Sequence, residues 1–176
     1  DMINNTELNK LLANDDIHTE TYNIRCMDQS ETILTEKEIA QSHQFSEQQK
    51  EIEYKNIKNG LLCNDTIQLV VGAHVMCIAN IDMESDKPVC NGSQGIIVKF
   101  SNKAPVVRFN NGSTRTISPH VWKSDAIPGV GASQVPLILA WAITIHKSQG
   151  ITLDYGEINA GSGIFECGQT YVALSR

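Results

Sequence analysis

The alternation of apolar and polar residues along the chain predicts short helices and strands. Three leucines with helical spacing predict a helix over residues 5–13, and period-two alternation predicts a strand over residues 19–27. Two further β-type runs flank a glycine within residues 67–81. The longest apolar run, residues 137–145, predicts a buried strand that ends in a cluster of polar side chains.

Three short strand candidates follow the glycine-containing segment. They cover residues 96–100, 105–109 and 113–117, and an Asn-Asn-Gly sequence at 110–112 supplies the hairpin turn between the last two. An Asn-Gly pair at 91–92 predicts another tight turn. Short strands at this spacing predict a small β-barrel and not another βαβ unit.

A polar connector separates the first strand candidate from the second segment. Residues 28–60 are rich in Gln, Glu, Lys and Ser, which predicts a solvated, partly helical segment whose charges need no role beyond solubility. On the far side of the barrel candidate, Pro128, Gly129, Gly131 and Pro136 predict a boundary where the chain returns to its main domain.

Composition limits the class of protein. A chain of 176 residues with 41% hydrophobic content can form one domain, with or without a small inserted module. No run approaches the roughly 20 apolar residues of a membrane span, and no secretory leader is recognisable, so we expect no membrane partner. Five scattered cysteines without a C-x-x-C pair predict reduced thiols in an intracellular protein and no zinc or other metal site.

The charge is divided unevenly between the two halves. Residues 1–86 hold 6 Lys and Arg against 16 Asp and Glu, whereas residues 87–176 hold 8 against 4. A polyanion would therefore meet the second half, although two ordinarily solvated surfaces explain the same numbers. The basic residues of the barrel candidate, with no acid between the first and the last, are predicted to form a phosphate-facing surface. They are Lys99, Lys103, Arg108, Arg115 and Lys123.

The candidate chemistry follows the last apolar run. His146 to Thr152 supply hydrogen-bonding groups and a glycine beyond a predicted strand end, which is where open α/β sheets place ligands. A second apolar segment leads to Arg176, whose always-protonated planar fork suits the charge on a transferring phosphoryl group. The alternative interpretation is a core strand that enters an ordinary loop.

The residue strings narrow this choice. AWAITIHKSQGIT and GQTYVALSR resemble the fifth and sixth motifs of superfamily-one DNA helicases, within them the petite-integration-frequency (PIF-type) and RecD-like 5′-to-3′ branch. The segment LVVGAHVMCIAN resembles the L-x-x-G-A-x-V-M-x-x-x-N stretch of the same family, and Asp-x-Ile-Asn at 1–4 resembles the entry to its second motor domain. The resemblance is loose over residues 1–27 and hardly extends to 28–62.

The resemblance implies a fold class and a domain layout. We expect an α/β protein, an incomplete second RecA-like (P-loop NTPase) motor domain that carries an inserted small Src-homology-3-like β-barrel. The first part of the motor domain would cover residues 1–80, with a variable connector at 28–62. The barrel would cover 81–130, and the motor domain would resume over 131–176 with motifs five and six.

The same resemblance assigns roles to single residues. Arg176 would be catalytic, reaching across a cleft to the γ-phosphate. The nucleotide-binding positions would be Gln149, Gly150, Thr152 and Gln169. The DNA-binding positions would be Thr144, His146, Lys147 and Ser148, whose hydroxyl, imidazole and ammonium groups suit phosphate oxygens. Trp141 and Tyr171 are expected in the core, and Trp122 either packs against the motor domain or stacks on a base.

Part of the machinery is not found in this sequence. It has no G-x-x-x-x-G-K-[ST] loop, so ATP and Mg²⁺ would be bound mainly by a first motor domain that precedes it, and the chain alone would be inactive. Its partners would be single-stranded DNA, ATP and that N-terminal domain, in the nucleus or another DNA-containing compartment. The function implied is part of an ATP-dependent 5′-to-3′ DNA helicase. The alternative is a non-catalytic nucleic-acid-binding module on a degenerate helicase fold.

Overall fold

The chain folds as an α/β protein with short elements. A computed structural model describes residues 2–14, 16–27, 31–145, 157–158 and 168–175. The helices in these ranges are α1 (Met2–Leu12), α2 (Glu36–Ser42), α3 (Glu47–Gly60) and α4 (Gln169–Leu174). The strands are β1 (Thr19–Asn23), β2 (Arg25–Cys26), β3 (Thr66–Val70), β4 (His74–Cys77), β5 (Gln94–Ser101), β6 (Ala104–Phe109), β7 (Thr114–Thr116), β8 (His120–Lys123), β9 (Gly131–Gln134) and β10 (Leu137–Leu139).

The strands form three antiparallel sheets. Five of them pair in the order β10-β4-β5-β6-β7, β1 pairs with β3, and the third sheet has the order β2-β9-β8. The predicted strands at 96–100, 105–109 and 113–117 are confirmed as β5, β6 and β7, and Gly112 takes the left-handed conformation, with φ of +78°, that the predicted hairpin turn needs.

Two hydrophobic cores lie on opposite faces of β4. The first core joins one face of the five-stranded sheet to α1 and to the β1–β3 sheet, and its buried residues include Leu8, Leu69, Val75, Ile97, Val107 and Phe109. The second core, on the other face, contains Met76, Ile78 and Ile138 with Trp122 packed against them. Burying one such aliphatic side chain contributes about 1.5–3 kcal/mol, so these clusters are the main source of stability.

The polar connector is helical, as predicted, and caps its own helices. Thr35 precedes α2 and its hydroxyl accepts from the backbone N–H of Glu38, whose carboxylate accepts from the N–H of Thr35. Ser46 and Gln49 make the same reciprocal pair at the start of α3. Neither helix has a buried residue, so reciprocal caps and surface contacts stabilise them, among them the bond from Ser124 Oγ to Glu53 Oε1 at 2.6 Å.

Two strand predictions are wrong in extent. The segment predicted as one strand over 19–27 is divided, because the N–H of Ile24 bonds to the carbonyl of Asp65 at 2.7 Å and the chain then passes from the β1–β3 pair to β9. The strand predicted over 137–145 pairs with β4 only at 137–139. Beyond Leu139 one further bond is made, from the N–H of Ala140 to the carbonyl of His74 at 2.9 Å, and His74 is the first residue of β4.

No sheet closes into a barrel within the described residues. The five-stranded sheet has β10 and β7 as its edges, and β7 is only three residues long, so the described ladders leave it open. This sheet also combines β5–β7 with β4 and β10, which come from the two flanking segments of the predicted layout. The boundaries at 80 and 130 remain predictions.

We expect Gly95→Ala to lower the free energy of unfolding by about 3 kcal/mol. A Cβ at Gly95 would lie 2.5 Å from the backbone oxygen of Arg108 and 2.8 Å from Val107 Cγ1, so the β5–β6 pair would have to separate. Gly60→Ala is the matched control: nothing lies within 4 Å of its Cβ, and it should be neutral or stabilising by about 0.5 kcal/mol. Urea unfolding of both variants measures the difference, and equal values would contradict this packing.

Candidate nucleic-acid and nucleotide site

Most residues of the predicted site fall outside the part of the chain that the structure describes. Thr144 is described and exposed, and Gln169 is the first residue of α4, which ends two residues before Arg176. The predicted positions outside the described residues are His146, Lys147, Ser148, Gln149, Gly150, Thr152 and Arg176. Their roles remain predictions. The structure describes the residues that lead up to them, as far as residue 145.

A buried side-chain amide, which the sequence pattern did not single out, holds the backbone shortly before Thr144. The side chain of Asn4, only 7% exposed, donates from Nδ2 to the carbonyl of Ala142 at 2.7 Å and accepts from the N–H of Ala142 at 2.9 Å. Nδ2 also lies 3.4 Å from the carbonyl of Leu139. The sequence contained a signal for this burial, because Asn4 shares helical spacing with Leu8 and Leu11.

One row of residues crosses the face of the five-stranded sheet that points away from the first core. His74, Ile96, Arg108 and Thr114 are directly opposed on β4, β5, β6 and β7, and we call them the outer row. Opposed residues of antiparallel strands share a face. His74, Arg108 and Thr114 are exposed, so the outer row offers a guanidinium, an imidazole and a hydroxyl to solvent.

The outer row continues toward the predicted motif through Trp141. The rings of His74 and Trp141 lie 6.0 Å apart and are tilted by 41°. The N–H of Ala140 donates to the carbonyl of His74 at 2.9 Å, which holds the two segments together. Trp141 is half-buried against the first core, so its predicted core role is confirmed in part, and it stands three residues before Thr144.

The five basic residues of the barrel candidate differ in whether their charged groups already have a partner. Arg115 Nε pairs with Asp82 Oδ2 at 3.1 Å, and Lys123 Nζ donates to Thr32 Oγ1 at 2.7 Å. Lys99 and Arg108 are exposed and form no ion pair with the residues that the structure describes. Only part of the predicted basic surface is therefore available to a polyanion.

The β5–β6 hairpin that carries Lys99 and Lys103 is anchored to β1. Tyr22 Oη donates to the carbonyl of Lys103 at 2.6 Å, and the ring of His18 lies 4.8 Å from that of Phe100. Lys103 has φ of +62° and Asn102 has φ of +49°, left-handed conformations that suit the two-residue turn between β5 and β6. Burial, and secondarily the charge of Glu20, raises the pKa of Tyr22 to about 12.

The other predicted aromatic roles divide between packing and exposure. Trp122 packs against the second core, with the His120 ring edge-on at 4.8 Å, and burial lowers the pKa of His120. This is the packing use foreseen for Trp122. Tyr171 was expected in the core but is 75% exposed, because it shares one face of α4 with Leu174 and that face is uncovered.

The described residues include a cavity that is separate from the predicted site. A cavity of about 450 Å³ lies between the connector and Gly129, but its lining includes none of the predicted site residues. In the same ranges, no group of three or more His, Cys, Asp or Glu side chains is arranged to hold a metal ion. The described helices include none long and apolar enough to cross a membrane.

Comparison with known proteins gives this geometry a context. Residues 53–100 match the family model of the 2B domain of the DNA helicase Pif1. The ATP-dependent DNA helicase PIF1 of Xenopus laevis is 48% identical over 118 residues, which cover 64% of this chain and 18% of that relative. The Pif1 helicase from Candida albicans has a similar fold over 99% of this chain and 40% of its own, with 30% identity and a TM-score of 0.65.

A further solved structure is Pif1 helicase from Bacteroides in complex with ADP-AlF3 and ssDNA. The similarity covers 98% of this chain and 36% of that Pif1 chain, with 28% identity and a TM-score of 0.54. Sequence and fold thus make the chain similar to proteins of the DNA-helicase class. Within that class the similarity is to part of the PIF-type helicases, and it supports a fragment of such a helicase. The chain spans about 18% of the length of curated relatives that it matches.

We expect the stability of the chain to fall as pH rises from about 10 to about 12, in part through Tyr22. Tyr22 ionises near 10 when unfolded but only near 12 when folded, so its contribution is complete below pH 10 and is lost above it. Partial exposure limits this contribution to about 1 kcal/mol. Urea unfolding at both ends of this range should show a smaller change for Tyr22→Phe, whereas the exposed Tyr171→Phe should behave like the wild type.

Proposed function

We propose that this chain is the second-motor segment of an ATP-dependent 5′-to-3′ DNA helicase that translocates on single-stranded DNA and unwinds duplex. The observation that carries the proposal is the fold similarity to Pif1 helicases over 98–99% of the chain, including one in complex with ADP-AlF3 and ssDNA. Such a protein would act in the nucleus or another DNA-containing compartment.

The proposal includes the domain layout. Residues 1–80 and 131–176 would form the second RecA-like motor domain, and residues 81–130 the Src-homology-3-like insertion. The match to the 2B domain model covers residues 53–100 and overlaps the proposed insertion over residues 81–100. ATP and Mg²⁺ would be held mainly by a first motor domain, because this sequence has no phosphate-binding loop.

The roles of the site residues follow from their chemistry. Thr144, His146, Lys147 and Ser148 would donate hydrogen bonds to DNA phosphate oxygens, which positions the strand without reading its sequence. The outer row and Lys99 would extend this contact, because Arg108 and Lys99 are exposed on one sheet.

The nucleotide would be contacted from the other side of the motif. Gln149, Gly150, Thr152 and Gln169 would line the cleft, where a glycine lets the backbone approach the ligand closely. The guanidinium of Arg176 would stabilise the charge that develops on the γ-phosphate during transfer to water. These two sets of contacts would couple hydrolysis to movement along DNA.

A second candidate function is a non-catalytic nucleic-acid-binding module on a degenerate helicase fold. The exposed Arg108 and Lys99 support this function as well as they support the helicase, because binding by these side chains requires no nucleotide. The two functions differ in whether a phosphate-binding loop lies upstream in the same gene. They also differ in ATPase activity, which only the helicase should have when a first motor domain is present.

We expect the 176-residue chain to bind a single-stranded oligonucleotide weakly, with an affinity that falls as salt is raised. Changing His146 and Lys147 together to Ala should remove most of this affinity, because both side chains would then be unable to donate to phosphate. Fluorescence anisotropy over a salt series measures the affinity and the slope of its logarithm against the logarithm of salt concentration. That slope should become shallower by about 0.7 for each phosphate that the protein no longer neutralises.

An unchanged affinity in that double variant would contradict the assignment and direct attention to the outer row. Arg108→Ala would then be the informative variant. Arg115→Ala is its matched control, because it removes the same charge from a side chain that is already paired with Asp82.

We expect Arg176→Ala to abolish DNA-stimulated ATP hydrolysis in a protein that joins this chain to a first motor domain, while DNA affinity stays nearly intact. An arginine supplied across a cleft contributes about 10³ to 10⁵ in rate. Arg176→Lys should restore little, because lysine keeps the charge but loses the planar fork. The 176-residue chain alone is the baseline and should show no activity. Normal hydrolysis together with impaired DNA binding would show that Arg176 had been assigned to the wrong ligand.

A further inference from the structure

Asn4 occupies the place that a neighbouring strand would take beside residues 139–142. Beta-strand pairing of this segment stops at Leu139, and the N–H of Ala140 still donates to the carbonyl of His74 at 2.9 Å. At Ala142 the side-chain amide of Asn4 both donates and accepts, at 2.7 and 2.9 Å. A primary amide can satisfy a backbone N–H and C=O at once, as another peptide would.

The contact joins two segments that are 138 residues apart in the chain. Asn4 is in α1, and the same helix buries Leu8 in the first core. The position of Ala142 is therefore fixed by a contact with the packed interior and not by the surface loops around it. Thr144, the first of the predicted DNA-contacting residues, follows two residues later.

We infer that Asn4 is a positioning residue for Thr144, the predicted DNA-contacting residue two positions after Ala142. The inference rests on the proposed function of Thr144. The amide of Asn4 restricts the backbone at Ala142 and so keeps Thr144 near its binding arrangement. Without it, the N–H and C=O of Ala142 turn to water and residues 142–145 sample more conformations. The apparent affinity then falls by the fraction of molecules that remain competent.

The test compares variants of the 176-residue chain with a fluorescein-labelled oligothymidylate as the probe. Asn4→Ala should weaken binding by about tenfold if the competent fraction falls to roughly a tenth. Leu8→Ala is the stability control, because it damages the same helix within the core but keeps the amide of Asn4. Asn5→Ala is the surface control, since Asn5 is exposed on α1. Both controls should bind like the wild type at temperatures where each variant is fully folded.

Amide hydrogen exchange supplies a second readout that needs no DNA. Asn4→Ala should speed exchange at residues 142–145 and leave the β4–β5 ladder protected. Leu8→Ala should not speed exchange at 142–145 more than elsewhere in the chain. Asn4→Asp keeps the acceptor for the N–H of Ala142 but loses the donor to two carbonyls, so it should also weaken binding.

Each outcome decides a different question. Unchanged exchange at 142–145 in a folded Asn4→Ala chain would overturn the inference. Equal loss of affinity in Asn4→Ala and Leu8→Ala would also overturn it and reduce Asn4 to a general stability role. A folded wild type that fails to bind the probe at low salt, with exchange altered as expected, would instead contradict the proposed DNA contact.

Discussion

Strand β4 is the element on which the other layers depend, because its residues from Val75 to Cys77 are buried on both faces and both of its edges are paired. Val75 and Cys77 point into the first core, and Met76 belongs to the second. β5 and β10 pair with its two edges. A shift of one residue in this register would exchange the contents of the two cores, so the hydrophobic pattern of a few residues determines how the flanking segments meet.

Where the ladders around β4 stop, buried amide side chains satisfy the backbone. Gln134 is 2% exposed; its Nε2 lies 3.3–3.4 Å from the carbonyls of Tyr22, Asn64 and Asp65, and its Oε1 accepts from the N–H of Val135. Asn4 does the same for Ala142. Buried peptide groups that lack a partner are costly, so chain crossings of this kind require polar residues inside an otherwise apolar interior.

The parts that the sequence predicted best are those where local chemistry decides. The β5–β7 strands and the turn at Gly112 follow from alternation and from glycine at positive φ, and the connector helices follow from its composition. The turn between β5 and β6 was not predicted, because it places two non-glycine residues, Asn102 and Lys103, at positive φ. The lengths of the strands near 19–27 and 137–145 could not be predicted, because they depend on which partner is present. The N–H of Ile24 bonds to the carbonyl of Asp65, and the backbone of Ala142 bonds to the side chain of Asn4 and not to a strand. Of the candidate site, the approach through Trp141 and Thr144 is described, and the roles of Gly150 and Arg176 remain predictions.

The self-capped connector has a consequence for changes made on its surface. Helices α2 and α3 contribute no buried residue, and each begins with its own reciprocal cap. Substitutions on their outer faces should therefore change little of what holds the sheets together. For the same reason the connector is a suitable place to attach a spectroscopic label that reports on the protein without disturbing its interior.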